Sequence, residues 1–97
     1  MYSLLIVEDE ALVRNYLLGV VEWAKANVLP AGAVSNGAEA LAFIRSTPVD
    51  LVITDIRMPG MDGLELACEL QAHHPGTKTV LYSAYNDFEF ARRGIQY

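Results

Sequence analysis

Three groups of oxygen-bearing side chains each stand where an apolar run stops. Leu51, Val52 and Ile53 form a short run of the kind that fills a strand buried on both faces, and it ends at Asp55. Ser3 to Val7 is a similar run, ending in Glu8, Asp9 and Glu10, and Thr79 to Tyr82 ends at Ser83. A carboxylate at the C-terminal tip of a core strand, followed by a loop, lies where open parallel sheets bind ligands. Here the loop is punctuated by Pro59-Gly60 and Asp62-Gly63, whose glycines allow tight backbone turns. Carboxylates gathered at one rim repel one another, and a hard divalent cation relieves that repulsion. Mg²⁺ suits such a site because it takes a few carboxylate oxygens and keeps several waters. With the cation bound, Asp55 can stay ionised and act as a nucleophile that forms an aspartyl-phosphate. The cation and a hydroxyl such as that of Ser83 would then stabilise charge on the transferring phosphoryl oxygens.

The elements that would position these groups alternate along the chain. After the first strand, Leu12, Val13, Tyr16, Leu17, Val20, Val21 and Ala24 recur at helical spacing, which predicts an amphipathic helix from about Ala11 to Ala26 with its apolar stripe in the core. Trp23 lies off the centre of that stripe. Val28 to Val34 is a weaker strand, and Pro30 within it predicts an edge position. Asn36-Gly37 predicts a turn, with Ala40, Leu41 and Ile44 on a second helix that ends near Ser46, before Pro48. Beyond the Asp55 loop, Leu64, Ala67 and Leu70 face inward on a third helix ending near His73-His74-Pro75-Gly76. Asn86 with Glu89 resembles a capping box and opens a fourth helix through Phe88, Ala91, Arg92 and Ile95. Strands alternating with helices predict a doubly wound parallel α/β sheet. All strand tips then share one rim, and a second strand at the edge would bring Asp9 beside Asp55.

Composition narrows the chemistry. The 97 residues are 53% hydrophobic and 20% charged, with a net charge of −5. The acidic balance argues against nucleic acid as a direct ligand, since phosphate neutralisation needs a basic face. No apolar run is long enough to span a bilayer, and no signal-peptide pattern is present, so a cytoplasmic location is expected. Cys68 is the only cysteine, which excludes an internal disulfide. A nucleotide or flavin site would need a phosphate-cradling loop where Glu8-Asp9-Glu10 stand. A haloacid-dehalogenase-like phosphatase would need a second acid two residues after its nucleophile, where Arg57 stands. Adjacent His73 and His74 lack a third ligand at metal spacing.

Leu5-Ile6-Val7-Glu8-Asp9-Glu10, Thr54-Asp55-Ile56-Arg57-Met58-Pro59-Gly60-Met61-Asp62-Gly63 and Ser83-Ala84-Tyr85, in that order, resemble the receiver domain of two-component response regulators. Tyr85-Asn86-Asp87-Phe88-Glu89-Phe90-Ala91 is similar to the subgroup whose receivers precede an AraC-type DNA-binding region. The resemblance implies a flavodoxin-like (CheY-like) fold with strand order 2-1-3-4-5. Asp55 would be the phosphoacceptor. Asp9, Asp55 and the backbone carbonyl of Arg57 would bind Mg²⁺, with Glu8 assisting through water and Met58, Pro59 and Gly60 forming the site loop. Ser83 would hydrogen-bond the phosphoryl group and shift when it arrives.

The same resemblance sets expectations for what surrounds the site. Residues 1–97 would form one receiver domain, incomplete at its C-terminal end, because the family's fifth strand, its lysine and its last helix would lie beyond Tyr97. Lys78 precedes the fourth strand and stands at the wrong end of the sheet to replace that lysine. The implied role is a phosphorylation-dependent switch, not a turnover enzyme, with a sensor histidine kinase as donor and DNA reached only through a region outside this chain. A fourth strand at the sheet edge would favour self-association through that strand or the neighbouring fourth helix. The competing expectation is a receiver-shaped module that binds partners without phosphorylation.

Overall fold

The computed structural model describes residues 1–83. Four parallel strands, β1 (Tyr2–Val7), β2 (Val28–Val34), β3 (Leu51–Asp55) and β4 (Lys78–Tyr82), form one sheet in the order β2-β1-β3-β4. Three α-helices connect them: α1 (Ala11–Gly19), α2 (Gly37–Ser46) and α3 (Gly63–His73). The helix expected from Asn86 onward lies outside the described residues.

Central strands are apolar on both faces, as a sheet sandwiched by helices requires. Leu4, Leu5, Ile6 and Val7 of β1 are all fully buried. Their alternation sorts them between two clusters. Leu5, Val7 and Val52 pack with Ala40 and Ile44 of α2 and Leu66 and Leu70 of α3. Leu4 and Ile6 lie on the other face with Val28, Leu17 and Trp23. Pro30 in β2 is tolerated because β2 is an edge strand, and the β1–β2 register slips between Leu4↔Pro30 and Leu5↔Gly32, leaving Ala31 as the extra residue.

Capping residues place two of the helices. Asn36 is the N-cap of α2, its side chain accepting from the Glu39 N–H at 2.8 Å, so Asn36-Gly37 starts a helix directly. Asp62 and Glu65 form a reciprocal capping box that starts α3 at the end of the Asp55 loop.

The first helix departs from expectation in length and in burial. It ends at Gly19, and Trp23–Ala26 form a separate 3-10 turn, in place of one helix reaching Ala26. Val20 and Val21 are β-branched and poor helix formers. The Trp23 indole N–H donates to the Leu17 carbonyl at 2.7 Å, folding the ring back over the helix end. None of α1 is buried: Leu12 is 85% exposed and Tyr16 56%. The stripe expected to be core thus touches the sheet chiefly through Leu17, because α1 lies against only the β2–β1 side and the described residues place no second helix beside it.

Candidate functional site

Topology builds the rim. With β1 between β2 and β3, the tips of β1 and β3 are neighbours, and the register pairs Val7 with Thr54, which sets Glu8 level with Asp55. Glu8, Asp9 and Asp55 each offer a carboxylate oxygen, and these oxygens all lie within 4.8 Å of one another. Glu8 and Asp55 are buried, 1% and 4% exposed, whereas Asp9 is exposed. His73 and His74 join no such cluster among the described residues; His73 instead lies 3.5 Å from Glu69, one turn earlier on α3.

Burying two of three converging carboxylates is costly, and their protonation reflects it. Desolvation pushes Asp55 above the ordinary aspartate value, opposed by N–H bonds from Arg57 and Ile56 and reinforced by the charges of Asp9 and Glu10. Desolvation likewise raises Glu8, opposed by hydrogen bonds from the Tyr82 hydroxyl and the Glu10 N–H. Arg14 does not compensate directly, since its guanidinium donates to the Glu8 backbone carbonyl at 2.8 Å. Burial and the bond to Glu8 push the Tyr82 phenol far up, so it remains a donor.

The remaining expected residues fall around this cluster. The Arg57 N–H donates to Asp55 Oδ1 at 3.3 Å, which orients the carboxylate at the strand tip. Met58 is 8% exposed, packs in the α2–α3 cluster and accepts weakly at its sulfur from the Thr54 hydroxyl. It anchors the loop to the core. Pro59 and Gly60 are exposed, and Gly60 takes the left-handed conformation (φ 75°) that a tight turn here requires. Arg57, Met58, Pro59, Gly60 and Asp62 line a shallow depression on the loop that follows Asp55. Ser83 is exposed and directly follows Tyr82, the residue paired with Asp55.

Tyr82 was not legible as a site residue from the sequence, where it reads as the apolar end of β4. Its hydroxyl donates to Glu8 Oε1. The available signal was its register: the last residue of a parallel strand beside β3 must lie level with Asp55.

A doubly wound sheet with a carboxylate cluster at the β1 and β3 tips defines a class, and the chain belongs to it: residues 4–97 match the response regulator receiver domain. The uncharacterized transcriptional regulatory protein YesN of Bacillus subtilis is 35% identical over the whole chain, which spans 26% of that protein. The transcriptional regulatory protein HptR of Staphylococcus aureus is 33% identical, and the chain spans 38% of it. Among solved structures, the receiver domain of AraT, a response regulator from Geobacillus stearothermophilus, superimposes with a TM-score of 0.87 at 28% identity, covering 98% of this chain and 74% of that one. A two-component transcriptional regulator AraC from Clostridium phytofermentans gives 0.87 at 29% identity, covering 100% and 75%. This chain is therefore much shorter than the curated relatives it matches.

Proposed function

We propose that the chain is a phosphorylation-dependent signalling switch in which Asp55 accepts a phosphoryl group from a sensor histidine kinase. The observation that carries this reading is the convergence of Glu8, Asp9 and buried Asp55 at adjacent strand tips in a receiver fold. The donor set is all carboxylate oxygen, which fits a hard cation such as Mg²⁺. Asp9, Asp55 and the Arg57 carbonyl would hold it, with Glu8 acting through water. When bound, it supplies the positive charge that keeps the carboxylates ionised and steadies the phosphoryl oxygens. In the transfer, an Asp55 oxygen forms the new bond to phosphorus while the bond to the donor's imidazole nitrogen breaks; the electron pair stays on that nitrogen, and the donor, protonated beforehand at its other ring nitrogen, leaves as neutral imidazole. The Arg57 N–H keeps the attacking carboxylate oriented. Ser83 then hydrogen-bonds the arriving group and moves with it. Asp55 is consumed once per event, so the chain is an acceptor, not a turnover enzyme.

Incubation with acetyl phosphate and Mg²⁺, followed by intact mass measurement, tests the reading. One phosphoryl group per chain is the expected product, and an unmodified protein would sink it. In calorimetric titration, Asp9→Asn should weaken Mg²⁺ binding by at least about tenfold, as loss of a direct ligand demands. Glu69→Gln, on α3 and away from the rim, should leave it unchanged. The rival, a receiver-shaped module that binds partners without phosphorylation, draws on the exposed apolar residues Leu12, Tyr16 and Val20. The same mass measurement separates the two.

The proposal extends to surroundings. Transcriptional output and DNA contact would reside in regions outside these 97 residues, and the setting would be the cytoplasm; no described helix is long and apolar enough to cross a membrane. Self-association would use the β4 edge, where Val80 is 48% exposed on the outermost described strand. Sedimentation of the 97-residue chain should show dimers or larger species, and a monodisperse monomer at all concentrations would refute this contact.

A further inference from the structure

Glu8 is the most enclosed carboxylate of the cluster, and both of its oxygens are engaged. Oε2 accepts from the Glu10 N–H at 2.9 Å, a contact made by the chain that immediately follows. Oε1 accepts from the Tyr82 hydroxyl, 74 residues away in sequence and on the far side of β3. Strands two apart in a sheet are separated by about 9.6 Å, a gap that only a long side chain can bridge toward a glutamate. A phenol does so with a single donor at its tip, and that donor meets the oxygen that the local turn leaves unheld.

We propose that Tyr82 is a positioning residue for the cation site: its hydroxyl fixes the Glu8 carboxylate in the orientation from which it acts on cation-bound water. The inference rests on the Mg²⁺ reading above. Without the hydroxyl, Glu8 loses the contact that reaches it from β4 and keeps those to its chain neighbours Glu10 and Asp9, so its carboxylate is held less firmly in one orientation, and outer contacts of this kind govern metal affinity by orienting the groups they touch. Tyr82→Phe keeps the ring and removes the donor alone.

Magnesium titrations of the full 97-residue chain as wild type, Tyr82→Phe, Glu8→Gln and the double variant test this. Tyr82→Phe should weaken Mg²⁺ binding by roughly tenfold, at the lower end of what orienting contacts contribute. Added to Glu8→Gln, it should change affinity by less than about twofold, because the hydroxyl has lost the partner through which it acts. An unchanged or tighter Tyr82→Phe, or an equal loss in both backgrounds, would overturn the proposal. A Tyr82→Phe chain that no longer folds by far-ultraviolet circular dichroism would also count against it, since a positioning residue is dispensable to the fold. Failure of the wild type to bind Mg²⁺ would instead overturn the site reading on which it stands.

Discussion

Asp55→Asn should incorporate no phosphoryl group from acetyl phosphate and Mg²⁺, while gaining stability in the metal-free state. The first effect follows from the proposed function, in which the oxygen that an amide replaces here is the one that attacks phosphorus. Ser83→Ala should still be phosphorylated, since one neutral hydrogen bond is worth about 0.5–1.5 kcal/mol and changes the extent rather than the possibility of reaction. Phosphate on any other residue of the wild type would defeat the assignment.

The stability gain follows from proton linkage. Burial raises the folded-state pKa of Asp55 above its unfolded value. The folded state therefore binds more protons across that interval, and wild-type stability falls as pH rises from the ordinary aspartate value through the raised one. Below that interval Asp55 is protonated in both states and carries no penalty. Asparagine has no such charge to bury, and its side-chain oxygen can still accept from the Arg57 N–H. The advantage of Asp55→Asn in urea unfolding should thus be small in acid, grow as pH rises through the interval, and reach its full size at neutral pH. Mg²⁺ should shrink it by stabilising the wild type. Equal midpoints at acid and neutral pH would show that burial of this carboxylate costs the fold nothing.

Gly63→Ala should be the most damaging conservative change near the site. A Cβ at Gly63 would lie 2.2 Å from the Asp55 carbonyl oxygen and 2.9 Å from the Ile56 Cα, both backbone atoms that cannot swing aside. The Gly63 N–H also donates to the Ile56 carbonyl at 2.8 Å, so the start of α3 is drawn against the end of β3. Overpacking of this kind costs about 1–3 kcal/mol or more. In a domain this small each kcal/mol lowers the melting temperature by roughly 4–8 °C. Gly76→Ala is the control, because nothing lies within 4 Å of its added Cβ. Similar melting temperatures for the two variants would show that the loop yields at little cost.

Much of this architecture could be read from residue patterns because the central strands obey simple rules. Apolar runs at Leu4–Val7 and Leu51–Ile53 admit only a doubly covered sheet, and Pro30 assigns β2 to an edge, which forces β1 beside β3 and Asp9 beside Asp55. Periodicity misled at α1, where seven apolar residues share a helical spacing. Their pattern cannot register that Trp23 turns back to bond Leu17, nor which neighbours cover the stripe. Leu66 is likewise a fully buried position of α3 that the inward spacing of Leu64, Ala67 and Leu70 does not include. Tyr82 escaped because a phenol in an apolar strand is counted as hydrophobic, and its polar tip acquires meaning only when the register brings it to Glu8.

The Tyr82–Glu8 bond makes the end of β4 and the acidic cluster thermodynamically dependent on each other. Suppose that a cation changes how firmly Glu8 holds the phenol; the preference of the β4 tip among its conformations must then change by the same free energy. Reciprocity also runs the other way, so a partner that captures the Ser83 end of β4 in a displaced position alters cation affinity without touching any carboxylate. Two sites joined by one hydrogen bond can exchange no more than that bond is worth, about 1.5–3 kcal/mol for an ionised acceptor. That ceiling corresponds to a shift of roughly tenfold to a hundredfold in either equilibrium, enough to bias a switch but too little to lock it.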